Sequence, residues 1–319
     1  MNTTSRVAVA SRSFSRHPAL RAALEAAYGR VSFNESGASL AGSGLVDFLR
    51  GHDKAIIALE RIDGALLDTV PELRVVSKYG VGLDAIDLRG METRGVRLGW
   101  TGGVNRRSVA ELVISSAIAL LHRVPVATDE LGHGQWRQVV GRQLTGRTVG
   151  IVGCGHVGKD VAVLARAFGC PVLAHDILDF PEFYHAHGVR PVDLPTVLQE
   201  ADVVTIHLPL DDSTRGLLDR SRLSLLRPNA VFINMARGGI VDERALCEML
   251  GAGRLAGAAV DVFEREPPTD RSLIDLPTVI ATPHIGGSTE EAILAMGQAA
   301  IAGLDAAALP SELGLVEAS

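Results

Sequence analysis

The sequence predicts an α/β protein built from two Rossmann-like, doubly wound parallel-sheet domains, and three observations predict it. Short β-branched runs recur at intervals that leave room for a helix between them. The runs fall into two series, one before residue 101 and one after residue 145. Only the second series contains a glycine-rich turn, "GIVGCGHVGK" at 150–159. Strands alternating with helical stretches imply βαβ units, and right-handed crossovers then cover a mostly parallel sheet with helices.

The first series reads "RVAVAS" (6–11), "AIIAL" (55–59), "RVVSK" (74–78) and "VRLGW" (96–100). Next comes "NRRSVAELVISSAIALLHRV" (105–124), apolar almost all round, which predicts a buried helix at the border between domains. Ser108 is a candidate cap for a start near Val109, and Asn105 is an equally good one. The second series runs "TVGIVG", "PVLAHD", "DVVTIHLP", "AVFINMA", "GAAVDVF" and "TVIATPH". The tail "TEEAILAMGQAAIAGLDAAAL" (289–309) is helical in pattern and is expected to return to the first domain. The expected division is therefore a discontinuous domain of residues 1–101 and 288–319, with residues 102–287 forming the other.

Bulk properties narrow the function classes. A chain of 319 residues with 47% hydrophobic content suits two cores of ordinary size. A net charge of −6 argues against nucleic acid as an obligatory partner, because phosphate binding needs a basic face. Cys154, Cys170 and Cys247 have no C-x-x-C spacing, so neither a zinc site nor a disulfide framework is expected. No signal-like N-terminus is present, and no run approaches the ~18 apolar residues of a membrane span. The expectation is a cytoplasmic protein that acts without a membrane.

Gly153, Gly155 and Gly158 follow a predicted strand and open a predicted helix. In that context the first glycine permits a tight turn, the second lets the backbone approach a pyrophosphate, and the third lets helix and strand pack closely. The helix start adds N–H groups and partial positive charge for the phosphates. Asp176 ends the next strand, 18 residues beyond Gly158, where a carboxylate accepts from ribose hydroxyls and repels a 2′-phosphate. The cofactor expected is NAD rather than NADP.

Ligands of open parallel sheets sit beyond the carboxyl ends of the strands. Arg237 follows "AVFIN", Glu266 follows "GAAVDVF", and His284 follows "TVIATP". An imidazole is suited to take an alcohol proton near neutral pH, and a carboxylate beside it fixes its tautomer. A guanidinium clamps a carboxylate bidentately. Together these groups suit interconversion of a 2-hydroxy acid and a 2-oxo acid. Glu264 competes with Glu266 for the acid position.

With these residues in place, the chain resembles the D-isomer-specific 2-hydroxyacid dehydrogenases, the phosphoglycerate dehydrogenase branch above all. The motifs are "KYGVGLDAID" (78–87), "NRRSVAE" (105–111), "GIVGCGHVGK" (150–159), "HLPL" (207–210), "NMARGGIVDE" (234–243), "AAVDVFEREP" (258–267) and "TPHIGG" (282–287). The resemblance implies an active site in the cleft between the domains, with Arg237 binding substrate, Glu266 as the acid and His284 as the catalytic histidine. It implies that amides of Tyr79, Gly80, Val81 and Gly82 receive the substrate carboxylate, with Lys78 beside them. It further implies cofactor contacts from His156 and Val157 at the pyrophosphate, and from His207, Pro209 and Thr214 at the adenosine. Asp261 would lie near the nicotinamide amide, Met235, Ala236, Arg237, His284 and Gly286 would also contact the cofactor, and the usual assembly would be a homodimer across the helix near 105–122.

The chain departs from that branch where an arginine–serine pair is common and it reads Leu59-Glu60-Arg61, and where Lys78 replaces an arginine. The substrate's distal group is therefore left open among 3-phosphoglycerate, glyoxylate, hydroxypyruvate and a phosphonate-bearing acid. No regulatory domain is expected after residue 310. The alternative from a different class is an NADH-sensing, corepressor-like binding module of the same fold.

Overall fold

β-Branched residues dominate the short strands of the computed structural model, which describes residues 2–317. The chain divides into two units, one running to Asn105 and resuming at Glu290, the other spanning Arg106–Thr289.

The first unit contains β1 (Val7–Val9), α1 (Arg12–Arg16), α2 (Pro18–Ala27), β2 (Val31–Phe33), α3 (Gly42–Leu49), β3 (Lys54–Ile57), α4 (Gly64–Thr69), β4 (Val75–Lys78), α5 (Leu88–Thr93) and β5 (Arg97–Gly99). Its sheet has the order β2-β1-β3-β4-β5, with every pair parallel. Strands covered on both faces need continuous apolar runs, and all three residues of β1 are buried. Carboxylates fix where helices start: Asp63 accepts from Leu66 N at 2.9 Å and Asp87 from Gly90 N at 2.8 Å.

The second unit contains α6 (Arg106–Leu121), α7 (Val124–Gly132), β6 (Val149–Val152), α8 (His156–Ala167), β7 (Val172–His175), α9 (Pro181–His187), β8 (Val189–Pro191), α10 (Leu194–Glu200), β9 (Val203–Ile206), α11 (Arg220–Leu223), β10 (Val231–Asn234), α12 (Glu243–Gly251), β11 (Gly257–Val260) and β12 (Val279–Ala281). The order β12-β11-β10-β9-β6-β7-β8 is the doubly wound dinucleotide-binding order with one strand added. Its switch point lies between β6 and β9, next to the glycine turn.

The last helix, α13 (Glu290–Ala306), packs on β3, β4 and β5 of the first unit, as the tail pattern predicts. The approach is close because Gly99 and Gly303 face each other; a Cβ on Gly99 would overlap Gly303 O. Ser77 Oγ donates to Ala300 O at 2.6 Å. At the far end Lys54 Nζ donates to Asp305 Oδ1 at 2.6 Å and to Leu304 O at 2.7 Å, and Tyr28 OH donates to the same carboxylate at 2.6 Å.

Three local expectations differ from the structure. β2 and β8 are three-residue edge strands that none of the β-branched runs marks. The helix expected near Val109 begins at Arg106, so Ser108 lies inside α6 and does not cap it; its hydroxyl donates to Gly286 O instead. Asn105 does not cap it by side chain either, since its Oδ1 is buried without a partner. The same helix also stops early: Arg123 adopts φ +60°, and α7 restarts with Pro125 in its first turn.

Candidate active site

The glycine turn shows three different steric needs. Gly153 has φ +95°, and a Cβ there would stand 2.5 Å from His207 O. At Gly158 a Cβ would overlap Gly153 O, so helix and strand could not close together. Gly155 is the opposite case: nothing lies within 4 Å of its Cβ position. It is also the N-cap of α8 and makes no side-chain cap hydrogen bond. The first turn of the helix, with His156 and Val157, thus faces open space with its N–H groups and the positive end of its dipole. A dinucleotide pyrophosphate fits that cradle.

Asp176 reaches back to this turn. Its Oδ2 accepts from Cys154 N at 2.6 Å and its Oδ1 from Leu178 N at 2.9 Å. Cys154 is fully buried, and burial pushes its thiol up to about 11, which leaves it an inert spacer. Beyond Asp176 the chain exposes Ile177 and Leu178, an apolar pair that sequence reading did not single out. Across the switch point, His207 bonds Thr205 Oγ1 at 3.0 Å, and burial pushes its imidazole down to about 3, so the ring is neutral. Thr214 is buried and donates to Pro209 O at 2.7 Å, tying together two of the residues matched to the adenosine side.

The acid and the histidine meet. His284 Nδ1 lies 2.8 Å from Glu266 Oε2, while Glu266 Oε1 accepts from Phe263 N at 3.1 Å. The backbone N–H of Glu264 donates to Glu243 Oε1 at 2.6 Å. His284 sits at φ +56°, a left-handed conformation that few side chains adopt and that histidine tolerates better than most. Asp261 is 1% exposed, and both its oxygens accept from the 282–286 turn: Thr282 Oγ1 at 2.6 Å, Ile285 N at 2.7 Å and Gly286 N at 2.7 Å.

Arg237 emerges half-buried beyond β10, following the buried Met235 and Ala236, with Nη1 donating to Ala236 O at 2.6 Å. Its turn is held by Asn234, whose Oδ1 accepts from Ala236 N at 3.1 Å and whose Nδ2 donates to Arg237 O at 3.0 Å. Sequence reading missed Asn234 and Thr282 as individuals because each lies inside a quoted motif whose charged member drew the attention, and it gave Ser108 a different role, that of a cap. Arg237, Glu266 and His284 all follow carboxyl ends of one sheet, at β10, β11 and β12.

In the first unit, Tyr79, Gly80, Val81 and Gly82 follow β4. Tyr79 is buried edge-on against Phe14 at 5.4 Å. Val81 O accepts from Trp100 Nε1 at 2.9 Å. Gly80 has φ +127°, which favours glycine. The N–H groups of Gly80, Val81 and Gly82 donate to no acceptor among the described residues, so the loop can receive a small anion. Lys78 is buried and donates to Ala58 O, and Glu60 is buried and accepts from Ala58 N at 2.6 Å. One backbone residue is therefore clamped by both charges.

Comparison with known proteins bears on the family and the fold. Residues 114–286 match the family model described as the NAD binding domain of D-isomer specific 2-hydroxyacid dehydrogenases. The chain is 38% identical over 235 residues to D-3-phosphoglycerate dehydrogenase of Methanocaldococcus jannaschii, covering 73% of this chain and 45% of that one. It is 36% identical over 241 residues to hydroxypyruvate reductase of Thermotoga maritima, covering 73% of this chain and 76% of that one. It thus spans under half the length of the phosphoglycerate dehydrogenase. Among solved structures, D-lactate dehydrogenase of Aquifex aeolicus, complexed with NAD and lactic acid, superposes with a TM-score of 0.82 at 23% identity, covering 99% of this chain and 97% of that one. At that identity the likeness speaks for the fold.

Proposed function

Because the chain belongs to the D-isomer specific 2-hydroxyacid dehydrogenase family, we propose that it transfers a hydride between NAD(H) and a small D-2-hydroxy acid or its 2-oxo acid. The observation that carries the reading is the His284–Glu266 pair, 2.8 Å apart, on the sheet whose glycine turn leaves a helix start open.

The residues divide the work. Amides at Gly155, His156 and Val157 would hold the pyrophosphate, and Asp176 the ribose hydroxyls, which favours NAD over NADP. When bound, the nicotinamide supplies or accepts the hydride. Glu266 accepts from Nδ1–H of His284, which leaves Nε2 to give a proton to the oxo oxygen, or to take one from the hydroxyl in the reverse direction. Arg237 would clamp the substrate carboxylate and stabilise charge developing beside it.

The substrate class remains a small anionic acid: 3-phosphoglycerate, glyoxylate, hydroxypyruvate or a phosphonate-bearing acid. The test is NADH oxidation by the purified protein with that panel of 2-oxo acids. Turnover with one of them, and its reduction by about 10²–10⁴-fold in His284→Ala with NADH affinity retained, is the expected result. No turnover together with NADH-dependent self-association would move the assignment to a nucleotide-sensing module. The retained Arg237, Glu266 and His284 weigh against that alternative.

A homodimer belongs to the same proposal. Helix α7 buries none of its residues, and Leu131, Trp136 and Val140 are exposed on and after it. Sedimentation of wild type against Trp136→Glu tests it. The cytoplasm remains the proposed compartment, in keeping with three free cysteines.

A further inference from the structure

We propose that Asn234 and Asp261 are positioning residues that act through two turns, Asn234 setting Arg237 and Asp261 setting His284. The inference rests on the dehydrogenase reading and deepens it by saying what holds the reacting groups in place.

The two residues are neighbours at the ends of adjacent strands. Asn234 pairs with Val260 in register, and Asp261 N donates to Asn234 O at 3.0 Å. Asn234 is 4% exposed and Asp261 1%, so each polar side chain must be satisfied from within. Each spends its hydrogen bonds on a turn. Asn234 bonds Ala236 N and Arg237 O and so closes the turn that presents the guanidinium. Asp261 receives Thr282 Oγ1, Ile285 N and Gly286 N, while its own carbonyl oxygen accepts from His284 N at 2.9 Å. His284 therefore stands in a ring of bonds that converge on one residue.

That ring offsets an unfavourable backbone. A left-handed histidine persists only where its surroundings over-determine it, and here four bonds to Asp261 and the Ser108–Gly286 bond at 2.6 Å do so. Gly286 has to be small, because a Cβ would stand 3.0 Å from Asp261 Oδ2. A carboxylate suits the site better than an amide: three donors point at it, and the NH2 of asparagine would oppose one of them. Nothing comparable joins Asn234 to the 282–286 turn by side chain, so the two positioning effects are separable.

The separation is the test. Asp261→Asn is expected to lower kcat by about 10²-fold, the cost of a displacement near 1 Å, while KM for the acid stays within about threefold. Asn234→Ala is expected to raise KM by about tenfold, with a smaller effect on kcat. Thr282→Val removes a single bond and should reproduce part of the kcat effect, and Thr282→Ser should restore it. Amide hydrogen exchange supplies a readout independent of turnover: Ile285 and Gly286 should lose protection in Asp261→Asn while β6 and β9 keep theirs. Equal changes in kcat and KM in both variants, or unchanged exchange at Ile285 and Gly286, would overturn the proposal. If the wild type turns over no acid at all, the dehydrogenase reading fails, and the exchange result still decides whether Asp261 holds the turn.

Discussion

Each sheet begins with a strand, a short turn and a helix, and the two turns are finished differently. In the first unit Ser11 caps α1, its Oγ accepting from Phe14 N at 3.3 Å, and His17 caps α2 by accepting from Leu20 N at 3.4 Å. In the second unit Gly155 caps α8 with no side chain at all. Parallel strands end alike in both sheets, and helices follow in both. What sets the second turn apart is a cap left open, since a capping side chain takes up one of the orphan N–H groups that an open helix start still offers to a phosphate. Nucleotide binding is thus a property of one turn and not of the sheet.

Filling the open cap is the strongest way to break that contrast. The Cβ position of Gly155 is unobstructed, but φ −74° with ψ −149° is a backbone that side chains rarely adopt. Gly155→Asp should therefore change the melting temperature little, the few tenths of a kcal/mol gained as an N-cap being offset by that backbone. Its carboxylate would take the N–H groups meant for phosphate. Losing one charge-assisted hydrogen bond at about 1.5–3 kcal/mol predicts about 10–10²-fold weaker NADH binding by calorimetry. Gly158→Ala should behave in the opposite way, since its Cβ would overlap Gly153 O: a lower melting temperature from overpacking of about 1–3 kcal/mol comes first. A Gly155→Asp variant that binds NADH as the wild type does would mean the phosphates lie elsewhere.

That contrast also shows which parts of the molecule can be read from sequence. Gly153, Gly155 and Gly158 were legible because each answers to a local steric rule. The strands buried on both faces were legible as apolar runs. Glu266 was preferred over Glu264 on motif alone, and only the 2.8 Å contact to His284 gives that preference a geometry. β2 and β8 were not legible although β5 and β12, equally short and also at sheet edges, were, so length and edge position do not account for the difference. The hydroxyl of Ser108 looked like a cap, yet it serves a carbonyl 178 residues away. Bonds of that kind, like those of Asp261 to residues 282–286, depend on which strands become neighbours, and local propensity says nothing about that.

A middling effect should come from Asp176. Its carboxylate both braces the open turn at Cys154 N and stands where a 2′-phosphate would fall. Asp176→Asn keeps an acceptor for the brace and removes the charge. The ratio of NAD to NADP affinity should fall by about tenfold, the equivalent of roughly 1.4 kcal/mol of lost like-charge repulsion. Competitive binding of the two cofactors measures it, and an unchanged ratio would leave Asp176 as a brace alone.

The smallest expected effect concerns what fastens the first unit within itself. The first unit is completed by a helix from the far end of the chain, and the Lys54, Tyr28 and Asp305 cluster fastens that helix. The hydrogen bond from Lys54, and then that from Tyr28, holds the Asp305 carboxyl below the usual carboxylate range. A depressed folded-state pKa contributes stability that is present above the unfolded value, about 3.9, and is lost as pH falls through the folded one. The Asp305 side chain is 71% exposed, so the contribution belongs with surface pairs at about 0.2–1 kcal/mol. Asp305→Asn should therefore weaken protection of the β3 and α13 amides by that amount at pH 7. The difference from wild type should shrink as pH drops below about 4 and vanish once pH falls below the depressed pKa of the folded carboxyl. Amides of β6 and β9, in the unit that has no such returning helix, should show neither the loss nor its pH dependence; a matching change there would mean that the two units unfold as one.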